Sequence, residues 1–382
     1  MAAESIRQLD VVEIERWLLR SLQQAPQRDR VSVIVPIAHG AAAVFIDRAG
    51  TVVTAPDYED PIFEAVRYEY EHERDSFAET FSPGLPLGLN LGRQLFFLEQ
   101  RRSEQFAQIA HGILYPQYWA WRLSGVMASE VTSLGCHTDL WYPRQRNFSD
   151  MARRRDWSRL FPQLRIAGET LGTVTAEIAR ASGLRPDCRV VCGIHDSNAS
   201  YLEHLLARPR ATPFTVISSG TWTVIMANAA DPSRLVADRD LLANVDARGE
   251  IVSTARFMGG REYEVIAASD AAPDEDALTN VLQRHVMAVP AFARGGPFMA
   301  HPGKVLHAGE LSAAERAALA TLYTVLMSEL LLENLGASGD VIVDGPLAQN
   351  RFFGPLLAAL RPSSGVLPAA SVSWGARAMC HL

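Results

Sequence analysis

Cysteine is scarce in this sequence. Only four cysteines occur among 382 residues, and their scattered positions do not form a disulfide framework. Cys188 and Cys192 lie four positions apart on a predicted strand, which is not the spacing of a metal-binding knuckle. These observations favour a reduced, cytoplasmic environment. The four residues are Cys136, Cys188, Cys192 and Cys380.

An excess of positive charge is also lacking. The formal net charge is −7 and the pI is about 5.8, whereas a nucleic acid or an anionic membrane favours a basic surface. No apolar run approaches the roughly 20 residues that a membrane helix needs. The amino terminus, MAAESIRQLD, has no apolar signal core. We therefore expect neither a nucleic-acid partner nor a membrane partner.

The rest of the composition is that of an ordinary globular protein. Hydrophobic residues make up 48% of the sequence and charged residues 21%, which is typical of soluble chains. The length allows two domains of ordinary size. The sequence contains no repeat of fixed period and no low-complexity tract. These features predict a soluble α/β protein.

The first half of the chain carries mixed helix and strand signals. Asp10 and Glu13 form a capping-box pattern at the start of an amphipathic helix. Residues 31–37, VSVIVPI, are short, β-branched and apolar, and so predict a buried strand. Further along we expect a strand pair at 41–55, a long irregular loop at 56–92, and helices within 93–125 and 168–183.

Strands and helices alternate in the second half. This order is typical of a mixed or parallel sheet covered by helices, and a break at ARPRATP, near residue 207, predicts a domain boundary. The predicted elements are a strand at 189–194, a helix from Ser197, two strands within 213–228, a helix at 313–335, a strand at 340–345 and a helix at 350–360.

One strand ends in a pair of polar residues. In GIHDSNAS, His195 and Asp196 follow the strand at 189–194, and open α/β sheets place their functional sites at such carboxyl ends. A carboxylate there can act as a general base toward a hydroxyl group. The alternative is an N-cap aspartate for the helix that follows.

Two further turns carry residues suited to an anionic ligand. SSGTW (218–222) exposes hydroxyl and backbone N–H groups that could hold phosphate, although an ordinary hairpin is the commoner explanation of such a turn taken alone. VDGPLAQN (343–350) suits a nucleotide lying across the turn, and a plain turn is the alternative. FMGGREYEVI (257–266) adds a Gly-Gly pair at a helix start. DRAGTVV (47–53) is interpreted as a turn that connects two strands rather than a phosphate loop.

In this order, the motifs resemble those of the FGGY carbohydrate kinases. PIAHGAAAVFID (36–47) is similar to the stretch in which a Met-His-Gly-Ala run contacts the sugar in xylulokinase-like members. ILYPQYWAWRLSG (113–125) resembles their Leu-Pro-x-x-Tyr-Leu-x-x-x-Leu-Thr-Gly segment. GIHDSNAS takes the place of their Gly-x-x-Asp motif. SSGTW resembles the phosphate-contacting Gly-Thr turn and is most similar to its sequence in the rhamnulokinases. VDGPLAQNRFF resembles the adenosine motif.

The resemblance implies a two-domain α/β fold of the actin-like (ribonuclease H-like) ATPase type. It implies a sugar-binding domain at 1–207 and a nucleotide-binding domain at 208–382. It further implies that ATP, with Mg²⁺, phosphorylates a ketose or deoxy-ketose while Asp196 removes the hydroxyl proton. The implied sugar contacts are His39, Gly40, His195 and Asp60, and the implied nucleotide contacts are Ser219, Gly220, Thr221, Gly259, Gly260, Gly345 and Asn350. No protein residue is assigned as a metal ligand.

One family segment has no counterpart ahead of MAAESIRQLD. Members begin with a strand and an Asp-x-Gly-Thr-type loop that cradles the ATP phosphates, so an incomplete amino-terminal domain is expected, with an unpaired edge at 31–37. A mis-assigned start, a segment supplied by another chain, or a kinase-like protein that no longer transfers phosphate would each explain this. The alternative function is therefore a catalytically impaired sugar- or nucleotide-binding protein. A hydrolase that uses His195 and Asp196 with water is a third hypothesis, and a homodimer is possible.

Overall fold

The chain forms two compact units in the computed structural model, which describes residues 5–210, 212–298 and 300–369. The first unit holds the described residues up to 203 together with 243–251. The second unit holds the described residues of 204–242 and of 252 onward.

The first unit contains short strands and mostly short helices. Its helices are α1 (Val11–Gln24), α2 (Arg67–Glu73), α3 (Phe77–Thr80), α4 (Leu91–Arg101), α5 (Ser103–Phe106), α6 (Tyr115–Ser124), α7 (Val131–Leu134), α8 (Asp150–Arg154), α9 (Ala176–Ser182) and α10 (Asp196–Ala207, which ends in the second unit). Its strands are β1 (Val33–Ile34), β2 (Ile37–Ala38), β3 (Ala43–Ile46), β4 (Val52–Thr54), β5 (His111–Leu114), β6 (Ser129–Glu130), β7 (Trp141–Tyr142), β8 (Asn147–Phe148), β9 (Leu164–Arg165), β10 (Thr170–Thr173), β11 (Arg189–Val191) and β12 (Ile194–His195). Short 3₁₀ helices lie at Arg28–Arg30, Pro61–Val66 and Trp157–Leu160.

Two parallel strand pairs position the site. β1 pairs with β11, and β2 pairs with β12 with Ala38 opposite His195. Between the pairs, Gly193 has a φ of +88°, and a Cβ there would lie 2.6 Å from the carbonyl oxygen of Pro36. Only glycine allows this close approach. The two strands therefore end side by side, at Ala38 and His195.

The predicted buried strand at 31–37 is wrong in two respects. Pro36 has no backbone N–H to continue the ladder, so the segment divides into β1 and β2. Most of its side chains are only half-buried, and Ile37 is 38% exposed. Among the described residues β1 has a strand partner on one side only, as expected for an unpaired edge.

Other element boundaries also differ from the expectations. The loop predicted at 56–92 contains α2 and α3, and the helical region predicted at 93–125 is interrupted by β5. The helix predicted from residue 168 begins only at Ala176, where the Thr175 hydroxyl caps it, because β10 precedes it and pairs with β11. Its predicted end at Gly183, with a φ of +74°, is confirmed. The predicted strand at 189–194 is broken at Gly193, and the following helix starts at Asp196 rather than Ser197.

The second unit is built on one six-stranded sheet with the order β15-β16-β14-β13-β19-β20. β13 and β14 form the predicted hairpin, and β13 runs parallel to β19. The strands are β13 (Phe214–Ser219), β14 (Thr223–Ala227), β15 (Leu241–Val245, whose last three residues belong to the first unit), β16 (Ile251–Phe257, whose first residue belongs to the first unit), β17 (Met287–Val289), β18 (Lys304–Leu306), β19 (Asp340–Asp344) and β20 (Val366–Pro368). The helices are α11 (Gly259–Ala267), α12 (Glu275–Gln283), α13 (Ala313–Leu335), α14 (Pro346–Gln349) and α15 (Phe353–Leu360), with 3₁₀ helices at Pro232–Arg234 and Ala237–Arg239.

Helix α13 has the bounds that the sequence predicts. Ser312 and Glu315 form its capping box, and Gly336 ends it with a φ of +67°. It is long and apolar enough to span a membrane by length and composition alone, and 67% of that stretch is buried inside the protein. It packs against α11, α12 and α15. The helix predicted at 350–360 is α15, which begins three residues later than predicted, at Phe353, while the short helix α14 ends before it at Gln349.

Candidate active site

The ends of β2 and β12 bring four predicted site residues together in the first unit. His39 and Gly40 follow β2, while His195 ends β12 and Asp196 begins α10. A Cβ on Gly40 would lie 2.9 Å from His195 Nε2 and 3.2 Å from Cys136 Sγ. The absence of a side chain at Gly40 thus lets His195 and Cys136 approach the backbone. We call His39, Gly40, Cys136, His195 and Asp196 the His–Asp cluster.

His39 is half-buried between two tyrosines. Its ring centroid lies 5.5 Å from that of Tyr58 and 4.8 Å from that of Tyr115. Its Nδ1 lies 2.9 Å from the carbonyl oxygen of Gly40. A hydrogen on Nδ1 makes this a hydrogen bond and leaves Nε2 as an acceptor for a ligand hydroxyl.

Asp196 is the most exposed ionisable side chain of the cluster. Its side chain is 52% exposed, and Oδ1 accepts a hydrogen bond of 2.6 Å from the backbone N–H of Ser197. Oδ1 also lies 3.2 Å from His195 Nε2. It lies in the first turn of α10. The helix-start role and a chemical role are therefore compatible, because one oxygen makes these contacts and the group stays open to solvent.

Asp60 occupies a different environment from the other predicted contacts. It is buried, Oδ2 accepts a 2.5 Å hydrogen bond from the backbone N–H of Arg7, and Oδ1 accepts one of 2.9 Å from Ile62. Both oxygens thus stabilise the backbone, and Asp60 caps the 3₁₀ helix that follows. The residue of this loop that contacts His39 is Tyr58.

A buried carboxyl group supports the cluster from within. Glu130 Oε2 accepts hydrogen bonds from the Thr132 hydroxyl and from the backbone N–H groups of Thr132 and Ser133. Thr132 Oγ1 in turn accepts a hydrogen bond of 3.1 Å from the backbone N–H of His195. Burial raises the pKa of Glu130 to about 7, although these hydrogen bonds and the charge of His195 oppose the shift.

The second unit has its own cavity of about 610 Å³. This size is ordinary for a small-molecule site. Five predicted nucleotide contacts line it: Ser219, Gly220, Thr221, Gly260 and Asn350. The other lining residues are Tyr263, Glu264, Ala272, Pro273, Pro346, Leu347, Gln349 and Arg351. We call this cavity the turn pocket, because its walls are the turns after β13 and β19 and the start of α11.

Glycines allow the walls of the turn pocket to meet. A Cβ on Gly260 would lie 2.2 Å from the carbonyl oxygen of Gly220, and one on Gly259 would lie 2.2 Å from Thr223 Oγ1. Gly345 has a φ of +79°, and its Cβ would lie 2.0 Å from the carbonyl oxygen of Ser219. Gly259 and Gly345 are not among the lining residues. Their structural role is to let backbones approach each other.

Two polar side chains of the turn pocket are already engaged. The Ser219 hydroxyl donates a hydrogen bond of 2.5 Å to the carbonyl oxygen of Asp344 and accepts one from the backbone N–H of Leu347. The Asn350 amide donates to Thr321 Oγ1 at 2.8 Å and accepts from the backbone N–H of Phe352. The Gly220 N–H donates to the carbonyl oxygen of Trp222. Thr221 is exposed at this turn, and the start of α11 lies beside it.

Sequence reasoning missed Cys136 and Glu130, and it did not single out Tyr115. Tyr115 lies within the quoted segment 113–125 and faces His39. Glu130 precedes a Thr and Ser pair, a local sign of a carboxylate that accepts backbone hydrogen bonds. No sequence signal places Cys136 beside His195, since 59 positions separate them. Among the described residues, no group of three or more His, Cys, Asp or Glu side chains is arranged to hold a metal ion.

Comparison with known proteins identifies the family. The model for the carbohydrate kinase FGGY C-terminal domain matches residues 211–381. The crystal structure of a carbohydrate kinase from Novosphingobium aromaticivorans is similar to this chain at 38% sequence identity, with a TM-score of 0.88. The similarity covers 99% of this chain and 84% of that chain. This chain belongs to the FGGY carbohydrate kinase family. The predicted membership is therefore confirmed.

More distant relatives bear on the fold and on the extent of the match. The xylulose kinase from Lactobacillus acidophilus matches 99% of this FGGY chain and 82% of its own, with a TM-score of 0.77 and 12% identity. This likeness confirms the predicted two-domain fold of the actin-like ATPases. The L-fuculokinase of Haemophilus influenzae is 26% identical over 170 residues, which are 42% of this chain and 34% of the curated relative.

Proposed function

We propose that this FGGY family member transfers the γ-phosphoryl group of ATP to a hydroxyl of a small sugar. The observation that carries the proposal is the half-exposed carboxylate of Asp196, which starts a helix beside two strand ends and is oriented by His195 and Ser197. A carboxylate in that position can accept a hydroxyl proton. His39 offers an acceptor nitrogen, and Tyr58 beside it offers a hydroxyl group.

The turn pocket supports the nucleotide half of the proposal. Its cavity lies at the ends of the parallel strands β13 and β19, next to the first turn of α11. Backbone N–H groups and the dipole of a helix start favour phosphate oxygens, while Ala272, Pro273 and Leu347 offer apolar surface for a base. We propose that Thr221 and the first residues of α11 face the phosphates. Mg²⁺ prefers phosphate oxygens, water and one or two carboxylates, so we expect it to enter with the nucleotide.

The proposed chemistry needs little from the protein beyond positioning and electrostatics. The hydroxyl oxygen bonds to the γ-phosphorus, the bond to the β–γ bridging oxygen breaks, ADP leaves, and Asp196 takes the hydroxyl proton. Transfer requires the hydroxyl and the γ-phosphate to be in line, and most of the rate gain then comes from alignment. We further propose a ketose or deoxy-ketose as the acceptor, a choice supported by the resemblance to xylulokinases and rhamnulokinases and by the name of the relative L-fuculokinase.

The test is a substrate panel. Purified protein is incubated with MgATP and a series of ketoses and deoxy-ketoses, with the matching aldoses and polyols as controls. We expect ADP formation that depends on the sugar, together with a phosphorylated sugar in the mass spectrum. The rate of ADP formation should be higher with the ketoses and deoxy-ketoses than with the control aldoses and polyols. Thermal stabilisation by sugar or nucleotide without any phosphosugar would instead support the non-catalytic alternative. ADP formation that is independent of sugar would overturn the proposal in favour of hydrolysis.

A further inference from the structure

Cys136 lies against the imidazole of His195. The Cys136 Sγ is 3.7 Å from His195 Nε2, and the same nitrogen is 3.2 Å from Asp196 Oδ1. Cys136 is 2% exposed and the His195 side chain 7% exposed. One nitrogen thus faces a sulfur and a carboxylate oxygen in a largely water-free environment.

The contacts of His195 allow a hydrogen on each of its two ring nitrogens. An ionised carboxylate only accepts hydrogen bonds, so Nε2 must carry a hydrogen toward Asp196. The opposite nitrogen, Nδ1, lies 3.3 Å from the side-chain amide nitrogen of Asn198. A half-turn of that amide brings its oxygen, which has no hydrogen-bond partner among the described residues, to Nδ1. The surroundings therefore accommodate a doubly protonated ring.

The charges around the pair act in the same direction. Burial alone raises the pKa of the Cys136 thiol, but the charges and hydrogen bonds of His137 and His195 outweigh it and hold that pKa well below its ordinary value. Burial alone lowers the pKa of His195, while Cys136 and Asp196, and then Glu130, raise it to about 9. Besides each other, the titratable groups that act on Cys136 and His195 are His137, Asp196 and Glu130.

We propose that Cys136 and His195 form a buried thiolate–imidazolium pair whose imidazolium holds the carboxylate of Asp196 in one orientation. The proton leaves Sγ and moves to Nε2, while Nδ1 keeps the hydrogen of the neutral ring, so no other reactant is needed. Nε2–H then points between the sulfur and Oδ1, and Oδ2 of Asp196 remains directed to solvent for a ligand hydroxyl. His195 and Cys136 are positioning residues on this account. The effect on catalysis rests on the proposed function, whereas the ion pair does not.

The first experiment measures the ion pair without turnover. Thiolate absorbs more strongly in the ultraviolet than thiol, so its absorbance is followed from acid to alkaline pH in the wild type, Cys136→Ser and the control Cys188→Ser. Cys188 is also buried, but burial raises the pKa of its thiol. We expect thiolate absorbance at about pH 7, below the ordinary thiol pKa of about 8.5. The wild type and Cys188→Ser should show it, and Cys136→Ser should not. Coincident titrations of the wild type and Cys136→Ser up to that ordinary value would overturn the pair.

His195→Gln provides a second variant should Cys136→Ser not fold. Glutamine keeps an N–H donor close to Asp196 but cannot become a cation, so the neutral-pH thiolate signal should be lost or reduced. An unchanged signal would overturn the pairing of Cys136 with His195.

The second experiment measures the effect on Asp196 through the pH profile of kcat/KM. In the wild type we expect the imidazolium to persist to about pH 9, because Cys136 and Asp196 raise the pKa of His195 to about that value. Without the thiolate His195 loses its proton at lower pH, so the alkaline limb in Cys136→Ser should move toward the ordinary histidine value of about 6.5. His195→Gln should retain more activity than His195→Ala and lose this limb. If the thiolate signal is present but Cys136→Ser leaves the profile unchanged, the positioning role is wrong, and this outcome leaves the proposed function intact.

Discussion

The His–Asp cluster and the turn pocket are built in different ways. The cluster is built from side chains: the His39 ring contacts the ring of Tyr58, and the His195 ring contacts the carboxylate of Asp196. The turn pocket is built from closely packed backbone segments. Gly260 and Gly345 are essential there because a Cβ at either position would overlap a carbonyl oxygen. A sugar hydroxyl is recognised by directional side-chain groups, whereas phosphates are bound by backbone N–H groups at turns and helix starts. The difference predicts that side-chain changes affect the cluster and added methyl groups affect the pocket.

Loss of the carboxylate charge should have the largest effect. Asp196→Asn removes the group that we propose as general base, and such groups contribute about 10²–10⁴-fold to rate. We expect kcat to fall within that range while the dissociation constant of ADP, measured by calorimetry, stays unchanged. Asp187→Asn is the matched control, since Asp187 is an exposed residue paired with Arg185 and such pairs contribute little. A kcat of Asp196→Asn equal to that of the wild type would rule out Asp196 as the general base.

A methyl group at Gly345 should strain the turn pocket. Alanine there must adopt a φ of +79° and place its Cβ 2.0 Å from the Ser219 carbonyl oxygen. A backbone held in such a conformation costs about 1–3 kcal/mol. We expect Gly345→Ala to lower the free energy of unfolding in urea by about that amount and to weaken ADP binding. Gly354→Ala, where a Cβ meets no atom within 4 Å, should leave ADP binding unchanged. Equal ADP affinities in both variants would contradict the role given to Gly345.

Glu130 should give the protein a pH dependence that originates beneath the cluster. The pKa of Glu130 rises from 4.5 to about 7 on folding, so the folded state binds more protons and stability falls as pH rises through that interval. Glu130→Gln should flatten this decline by about 1–3 kcal/mol, as measured by urea unfolding between these pH values. Glu104→Gln, at an exposed position, is the control. If the stability of Glu130→Gln declines with pH as much as that of the wild type, the pH dependence comes from other groups.

The smallest effect is expected at Asn350, and it separates two roles. The amide of Asn350 joins α14 to α13 through a hydrogen bond to Thr321. If this is its only role, Asn350→Ala and Thr321→Val should each lower the free energy of unfolding by about 1 kcal/mol, and both variants should bind ADP as tightly as the wild type. If Asn350 also contacts the nucleotide, only Asn350→Ala weakens ADP binding. Calorimetric titration of both variants decides between these outcomes.

The sequence predicted best what depends on local signals. The bounds of α13 follow from Ser312, Glu315 and Gly336, and the hairpin of β13 and β14 follows from its β-branched runs and the turn at Gly220. These features depend on residues only a few positions apart, and local capping and turn chemistry is readable in a sequence.

What the sequence could not predict depends on contacts between distant residues. The position of β2 beside β12 depends on the approach of Gly193 to Pro36, and the position of Cys136 depends on its contact with His195. Asp60 shows the same limit, because its bond to the backbone of Arg7 spans 53 positions. A motif indicates which residue types are present but not which of their atoms the fold already uses.

The most direct test of the account compares two variants with two ligands. Gly260→Ala places a Cβ against Gly220 in the turn pocket, and His39→Gln changes the cluster. With ADP and the best sugar of the panel as calorimetric ligands, we expect Gly260→Ala to weaken ADP binding about tenfold or more, the equivalent of about 1.4 kcal/mol, and to leave sugar binding unchanged. His39→Gln should do the reverse. If both variants weaken the same ligand, or if Gly260→Ala weakens only the sugar, the assignment of the two ligands to the two regions is contradicted.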